Sequence, residues 1–196
     1  MFSKLKNKYF ALRHGESKAN TAEIIVSNLE DAINEEYSLT KNGEKQVSTS
    51  IENSKKSKIL DSEVIIYCSP FSRCKRTAEI TKELLGIKIE INIDERLRER
   101  WFGSLDKSGT NNYQKVWSND SNNRQPEYNE ESVENVKNRV VSLIDDLEKI
   151  YQQKKILLVS HGDVLQILET QFKNKSSNMH RSIKSLERGE LRELIN

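Results

Sequence analysis

Two of the three histidines in this 196-residue chain have matching surroundings. His14 follows a short apolar run at residues 9–12 and His161 follows another at 156–159, and each precedes a glycine. A neutral imidazole can act as a nucleophile or a proton carrier. Because ligands of an α/β sheet bind at the carboxyl ends of its strands, two histidines at two such ends can converge on one crevice. The spacing therefore predicts a site that contains both imidazoles.

Arginines stand beside these positions. Arg13 directly precedes His14, and Arg73 follows a third apolar run, residues 64–68, by a few positions. The planar fork of a guanidinium suits phosphate oxygens. Two histidines could also bind a metal, but their neighbours are arginines rather than carboxylate or thiolate ligands. The pattern favours an anion site and predicts neither a metal nor a cofactor.

The elements that must position these residues alternate along the chain. The three apolar runs predict strands buried on both faces, whereas the alternating residues 87–91 predict a strand nearer an edge. Helices are expected between them, the first capped by Thr40 and ending near Lys56. Further helices are predicted over residues 77–85, 133–151 and 163–172. This alternation indicates an α/β domain with a largely parallel sheet.

One segment, residues 104–132, breaks the pattern because it is polar, rich in asparagine and weakly periodic. It is either a solvated loop or a lid that reads the substrate, the second only if it lies beside the active site. No repeat or linker divides the chain, so we expect a single domain over residues 1–196 with this insertion near the mouth of the site.

Composition excludes several classes. With 32 basic and 30 acidic residues the net charge is +2, so no global field favours nucleic acid or anionic lipid. The longest apolar run, residues 64–68, is far shorter than the ~20 residues of a membrane-spanning helix. Lysines at positions 4, 6 and 8 leave no room for a secretory signal, so a cytoplasmic protein is expected. Cys68 and Cys74 are expected to remain thiols.

The motifs that carry these residues resemble, in order, those of the histidine phosphatase superfamily, the phosphoglycerate mutase-like clan. The resemblance extends from residue 9 to residue 172 and includes the segment of the family's acidic residue. The matching segments are residues 12–20 (LRHGESKAN), 39–46 (LTKNGEKQ), 69–78 (SPFSRCKRTA), 97–103 (LRERWFG) and 159–162 (VSHG).

The resemblance implies a fold and an activity. The fold would be a three-layer α/β/α sandwich with a mostly parallel central sheet. The activity would be hydrolysis of a phosphomonoester through a phosphohistidine on His14. Glu99 would protonate the leaving oxygen, for which its carboxyl must be protonated near the working pH, as a nearby phosphate would encourage. Glu95 and Glu16 compete with it by residue type, but only Glu99 stands correctly relative to the Phe-Gly that follows.

The remaining site residues would bind the phosphoryl oxygens. Arg13, Arg73 and His161 would stabilise their charge, and Asn20 would donate a further hydrogen bond. His180 follows a polar turn rather than a strand and is expected on the surface, outside the primary site.

Within the family, ERWFG at residues 99–103 is similar to the Glu-Arg-His-Tyr-Gly of the mutases, so Arg100 could bind a second charged group of the substrate. However, the stretch between the acid and the second histidine is shorter than in the mutases, which favours a phosphatase. A non-catalytic module that binds phosphate groups is the alternative from another class. The expected partner is a small phosphomonoester or a phosphoprotein. The tail, residues 179–192, resembles a cytosolic branch of the family.

Overall fold

A five-stranded sheet organises the computed structural model, which describes residues 5–195. Its order is β3-β2-β4-β1-β5. Strands β1 to β4 run parallel, and β5 pairs antiparallel with β1 at one edge. The lysine at position 4, part of the argument against a signal sequence, lies outside the described residues. The strands are β1 (Lys8–Arg13), β2 (Ile65–Cys68), β3 (Asn92–Ile93), β4 (Lys155–Ser160) and β5 (Leu191–Leu194).

Helices cover both faces of this sheet. The helices are α1 (Lys18–Thr21), α2 (Leu29–Ala32), α3 (Lys41–Lys56), α4 (Ser72–Leu85), α5 (Tyr113–Ser121), α6 (Val133–Ile150) and α7 (Gly162–Phe172). Successive residues of a strand point to opposite faces. Phe10 and Leu12 of β1 accordingly pack with α3 and α4, whereas Tyr9 and Ala11 pack with α6 and α7. The predicted three-layer α/β/α sandwich is confirmed.

The helix predicted after Thr40 is also confirmed. The Thr40 hydroxyl accepts a hydrogen bond from the backbone N–H of Gly43 at 3.0 Å and caps α3, whose last turn carries two lysines. Such a cap and such charges stabilise the two ends of a helix. Helix α4 begins at Ser72, five residues before the predicted start at position 77. The prediction missed this first turn because it is rich in arginine and shows no apolar periodicity, although Arg73 is buried.

The prediction of an edge strand over residues 87–91 is wrong. The edge strand is β3, only two residues long, and pairs with Tyr67 and Cys68. Residues 87–91 instead connect the end of α4 to the sheet, and Ile87 is buried in the cluster between α3 and α4. The other edge strand, β5, has no counterpart in the sequence analysis, because its residues Leu-Arg-Glu-Leu are half polar.

The polar segment 104–132 is not simply a solvated loop. It contains a 3₁₀ turn at Thr110–Asn112 and the helix α5. Val116 of α5 is fully buried in a small cluster with Phe102 and Leu105. The many asparagines around these few apolar anchors explain why periodicity does not reveal the helix.

None of the helices within residues 5–195 is long and apolar enough to cross a membrane.

Candidate active site

The two histidines meet at the carboxyl edge of the sheet. His14 follows β1 and His161 follows β4, and these strands are adjacent and parallel. The two ring centres are 5.3 Å apart, and the side chains are almost entirely buried. Adjacent parallel strands end at the same edge, so the register of β1 and β4 is what brings the two imidazoles together.

Hydrogen bonds define the proton position on His14. Its Nδ1 lies 2.7 Å from the carbonyl oxygen of Gly15, which can only accept, so Nδ1 carries the proton. Its Nε2 accepts from Nε of Arg73 at 3.2 Å. Burial, followed by the charges of Arg73 and Arg13, holds the pKa of His14 well below its usual value. His14 is therefore a neutral imidazole with its lone pair on Nε2.

His161 has the opposite tautomer. Its Nδ1 accepts from Nη2 of Arg73 at 3.1 Å, so its Nε2 carries the proton and donates to the hydroxyl of Ser69 at 2.8 Å. Burial, with the charges of Arg73 and His14 after it, lowers the pKa of His161 well below the usual range. The second imidazole is thus also neutral in this site.

The two arginines retain unused donors. Nη1 of Arg73 and Nε of Arg13 are buried and have no hydrogen-bond partner within the described residues. Arg13 is fixed by a bond from Nη1 to the carbonyl of Leu186 at 2.7 Å and packs closely on Gly162, where an added Cβ would lie 3.0 Å from the guanidinium carbon. Because a buried N–H without a partner is costly, these two groups mark a place for an anion.

Glu99 completes the group. Its Oε2 lies 3.5 Å from Nδ1 of His161 and 3.6 Å from Nη2 of Arg73. Burial raises the pKa of Glu99 to about 7, and the charge of Asp163 adds to this against the opposing charges of Arg73 and Arg13. A substantial fraction of this carboxyl is therefore protonated at neutral pH even without a phosphate nearby.

The competing acids lie elsewhere. Glu95 is exposed on the 3₁₀ turn Glu95–Leu97. Glu16 accepts a hydrogen bond from Thr40 at 2.8 Å and lies 3.6 Å from Arg188. Of the three candidate acids, Glu99 alone lines the cavity that holds His14.

Asn20 is placed by the start of α1. Its Oδ1 accepts from the backbone N–H of Ser17 at 3.1 Å, and the Ser17 hydroxyl accepts from the backbone N–H of Asn20 at 3.3 Å. This reciprocal cap holds the side chain at the cavity and uses only its carbonyl oxygen. The amide N–H groups remain available for a bound anion.

Five of these six predicted groups, all except His161, line one cavity of about 320 Å³, near the lower end of the usual range for small-molecule sites. His161 is fully buried outside this lining and contacts Arg73 and Glu99. All of the other residues that line the cavity are absent from the predicted site, among them five side chains that comprise two aromatic residues of α5, one aspartate and two arginines. Spacing in α5 could have revealed two of them, which lie four residues apart on one helix face; a third stands in the first turn after His161-Gly162. The five are Tyr113, Trp117, Asp163, Arg181 and Arg188.

Arg100 requires a correction. Its side chain is only 1% exposed and does not line the cavity. The guanidinium forms a two-pronged pair with Asp120, at 2.6 and 2.9 Å, and lies 3.3 Å from Asp163. The structure therefore contradicts the prediction that Arg100 binds a charged group of the substrate, because two buried carboxylates already engage it.

The surface position expected for His180 is wrong. This residue is fully buried, with Nδ1 3.1 Å from the carbonyl of Ser177. Its Nε2 faces Asp163 at 3.5 Å and Asp120 at 3.9 Å. It does not line the cavity, which agrees with its expected place outside the primary site. The polar turn before it, residues 173–178, conceals a buried histidine that contacts the same carboxylates as Arg100.

Within residues 5–195 no group of three or more histidine, cysteine, aspartate or glutamate side chains is arranged to hold a metal ion. Independence from metal and cofactor stays a prediction. The two cysteines are buried free thiols.

Comparison with known proteins identifies the class. The sequence profile of the histidine phosphatase superfamily (branch 1) matches residues 9–194. The chain belongs to this superfamily, and its fold is the phosphoglycerate mutase-like fold.

Particular relatives are more distant. "Uncharacterized phosphatase PhoE" of Bacillus subtilis is 32% identical over 108 residues, which are 55% of this chain and 52% of that protein. A relative from Hydrogenobacter thermophilus is 34% identical over 107 residues, 52% of this chain and 51% of its own. The chain thus matches about half the length of these two curated relatives.

Solved structures agree in fold. A mycobacterial glucosyl-3-phosphoglycerate phosphatase superposes with a TM-score of 0.76 at 19% identity, over 95% of this chain and 91% of the other. A phosphoserine phosphatase of Entamoeba histolytica superposes with a TM-score of 0.73 at 23% identity, over 95% and 89%. At these identities the likeness shows the fold alone.

Proposed function

We propose that this protein hydrolyses a phosphomonoester through a phosphohistidine intermediate on His14. The observation that carries the proposal is the neutral His14 with its lone pair on Nε2, placed in a cavity with two partly unpaired guanidinium groups. A neutral imidazole is a nucleophile, and the arginines attract the phosphate that it attacks.

The first step transfers the phosphoryl group. Nε2 of His14 forms a bond to phosphorus as the bond from phosphorus to the ester oxygen breaks. Arg13, Arg73 and the amide of Asn20 stabilise the charge on the phosphoryl oxygens. His161 acts from outside the cavity lining, where its Nδ1 accepts from Nη2 of Arg73 and lies 3.5 Å from Glu99. Phosphate oxygens compete for the Nε–H of Arg73, which otherwise occupies the lone pair of His14.

Glu99 supplies and recovers the proton. Its protonated carboxyl, favoured by the raised pKa of about 7, gives its proton to the leaving alkoxide. The carboxylate then takes a proton from the water that attacks the phosphohistidine. Inorganic phosphate leaves, and His14 and Glu99 return to their starting protonation states.

The size of the cavity favours a small substrate. Relatives of matching fold carry names that specify phosphoserine or glucosyl-3-phosphoglycerate as substrates of those proteins, which supports phosphorylated metabolites as a class. Arg100, the residue whose motif favoured a mutase, is buried and does not line the cavity, so it does not favour mutase activity. A single domain over residues 1–196, a cytoplasmic location and the absence of nucleic-acid partners stay predictions.

The test uses p-nitrophenyl phosphate and purified protein. We expect turnover by the unaltered protein and a drop of at least about 10³-fold in kcat for His14→Ala, because the cavity lining contains no other imidazole. Brief exposure to labelled substrate should give an acid-labile phosphoenzyme that His14→Ala lacks. Phosphate binding without turnover would indicate the non-catalytic module, and turnover retained by a folded His14→Ala would contradict the covalent mechanism.

A further inference from the structure

The C-terminal segment brings two arginines to the cavity that the proposed chemical steps do not use. Arg181 lies in the 3₁₀ segment Ser177–Ser182, and Arg188 lies shortly before β5. Both line the cavity that holds His14. Their side chains are 32% and 40% exposed, so they are neither buried structural groups nor free surface charges.

Arg181 is held in one orientation by a stack of rings. Its guanidinium carbon lies 3.8 Å from the ring centre of Trp117. The ring of Tyr113 stacks on Trp117 with centres 5.2 Å apart and an angle of 8° between their planes. Nε1 of Trp117 donates to Asp163 at 3.0 Å, which fixes the indole. Such a stack reduces the side-chain entropy that Arg181 loses when it binds a ligand.

Most donors of Arg181 remain free. Nη1 donates to Oε1 of Gln166 at 2.6 Å and lies 4.0 Å from Asp163. The N–H groups on Nε and Nη2 have no hydrogen-bond partner in the part of the chain that the structure describes. Arg100, 3.3 Å from Asp163, already provides a counter-charge for that carboxylate, so the charge of Arg181 is not fully neutralised by Asp163. A fixed guanidinium with free donors at a cavity wall is suited to a carboxylate or phosphate.

The two arginines serve different parts of the cavity. Arg188 lies 3.6 Å from the carboxylate of Glu16, two positions after His14. It therefore stands on the side of the cavity formed by the loop that carries His14. Arg181 instead stands on the wall formed by α5, beside Trp117.

We propose that Arg181 determines specificity by binding a second anionic group, a carboxylate or a second phosphate, on the phosphate ester. The inference rests on the proposed phosphatase function, because it assumes that the first phosphate lies against His14. The sequence motif favours Arg100 for such a role, but the guanidinium of Arg100 is buried with Asp120.

Calorimetry on a His14→Ala background measures binding without turnover. One pair of probes, 3-phosphoglycerate and glycerol 3-phosphate, differs by a carboxylate. A second pair, fructose 1,6-bisphosphate and fructose 6-phosphate, differs by a phosphate. We expect the doubly anionic member of at least one pair to bind about tenfold more tightly, as one charge-assisted hydrogen bond allows. The pair that shows the preference identifies the second group.

Substitution of Arg181 provides the decisive comparison. Adding Arg181→Gln should bring the ratio of dissociation constants within that pair to about one, and Arg181→Lys should restore only part of it, because an ammonium lacks the fork and stacks less well. Arg124→Gln, which removes the same charge from an exposed position outside this cavity, should leave the ratio unchanged. Thermal unfolding verifies that each variant is folded.

Two results would overturn the inference: ratios near one in both pairs, or a ratio that a folded Arg181→Gln variant leaves unchanged. Neither outcome affects the phosphatase proposal, which turnover of p-nitrophenyl phosphate by the unaltered protein tests separately. If that turnover and the phosphoenzyme are absent, the phosphatase proposal fails, while the binding ratios still decide whether Arg181 binds the second anionic group.

Discussion

Nη2 of Arg73 donates to Nδ1 of His161 at 3.1 Å, although 88 positions separate the two residues in the chain. Nε of the same guanidinium donates to Nε2 of His14 at 3.2 Å, and Glu99 lies 3.6 Å from its Nη2. Arg73 therefore contacts the proposed nucleophile, the second imidazole and the proposed acid at once. Through these contacts it sets both tautomers and opposes the rise in the pKa of Glu99.

The first prediction concerns proton donation. Glu99→Gln should lower kcat much more for alkyl phosphates than for p-nitrophenyl phosphate, by about 10²-fold or more against a few-fold, because only the poor leaving group needs the proton. Steady-state rates over leaving groups of graded basicity provide the measurement. Glu95→Gln, on the exposed 3₁₀ turn, is the matched control and should change neither rate appreciably. Equal slowing of both substrates by Glu99→Gln would remove the acid role from this residue.

The second prediction links Glu99 to stability. Its pKa rises from an ordinary 4.5 to about 7 on folding, so between these values the folded state retains a proton that the unfolded chain has lost. The stabilisation of the folded state by this proton is fully present below about pH 4.5 and is lost as the pH rises through 7. The unaltered protein should therefore lose about 2–3 kcal/mol more free energy of unfolding than Glu99→Gln when the pH rises from 5 to 8, because glutamine does not titrate. Urea unfolding at both pH values measures this loss, and a difference between the two proteins that is independent of pH would show that Glu99 has no raised pKa.

The same carboxyl predicts the pH profile of turnover. For an alkyl phosphate, kcat/KM of the free enzyme should fall as the pH rises above about 7, because the acid form of Glu99 is lost. This fall in kcat/KM above pH 7 should be absent in Glu99→Gln, whose residual rate does not depend on that proton. If the same fall persists unchanged in the variant, the titration belongs to another group.

The fourth prediction separates structure from substrate binding at Arg100. Arg100→Gln should destabilise the fold by about 3–5 kcal/mol, because it leaves the buried carboxylates of Asp120 and Asp163 without their main counter-charge. Arg76→Gln, at a half-exposed pair with Glu44, should cost about 1 kcal/mol or less. Chemical denaturation compares the two. Normal stability with a raised KM in Arg100→Gln would instead restore the role in substrate binding.

The fifth prediction concerns the contact between α3 and the loop that carries His14. A Cβ at Gly43 would lie 2.0 Å from the carbonyl oxygen of Glu16, a backbone atom that cannot move alone. Gly43→Ala should therefore destabilise the protein by about 1–3 kcal/mol, although alanine favours a helix by about 1 kcal/mol over glycine. Gly109→Ala meets only the flexible Asn111 side chain and should have little effect. Thermal unfolding tests both, and a stabilised Gly43→Ala would contradict the close contact.

The sequence by itself determined the sheet centre and the predicted site. Continuous apolar runs at residues 9–12, 64–68 and 156–159 have few alternatives to buried parallel strands, and the charged or imidazole side chains that follow them are thereby directed to one edge. His14, Arg13, Arg73, Asn20 and Glu99 line one cavity, and His161 contacts two of them, Arg73 and Glu99, from outside its lining. Their catalytic and phosphate-binding roles remain proposals.

Tertiary structure alone decided which of the other charges reach the cavity. Arg100 and His180 turn inward because Asp120, on a helix concealed by its polar sequence, and Asp163 form a buried acidic pair there. Burial, which no local pattern specifies, sets the pKa of Glu99. Arg181 reaches the cavity by stacking on Trp117 of the insertion. Sequence patterns specify which residues follow a strand, but contacts between distant segments determine which charges are neutralised and which remain free for a ligand.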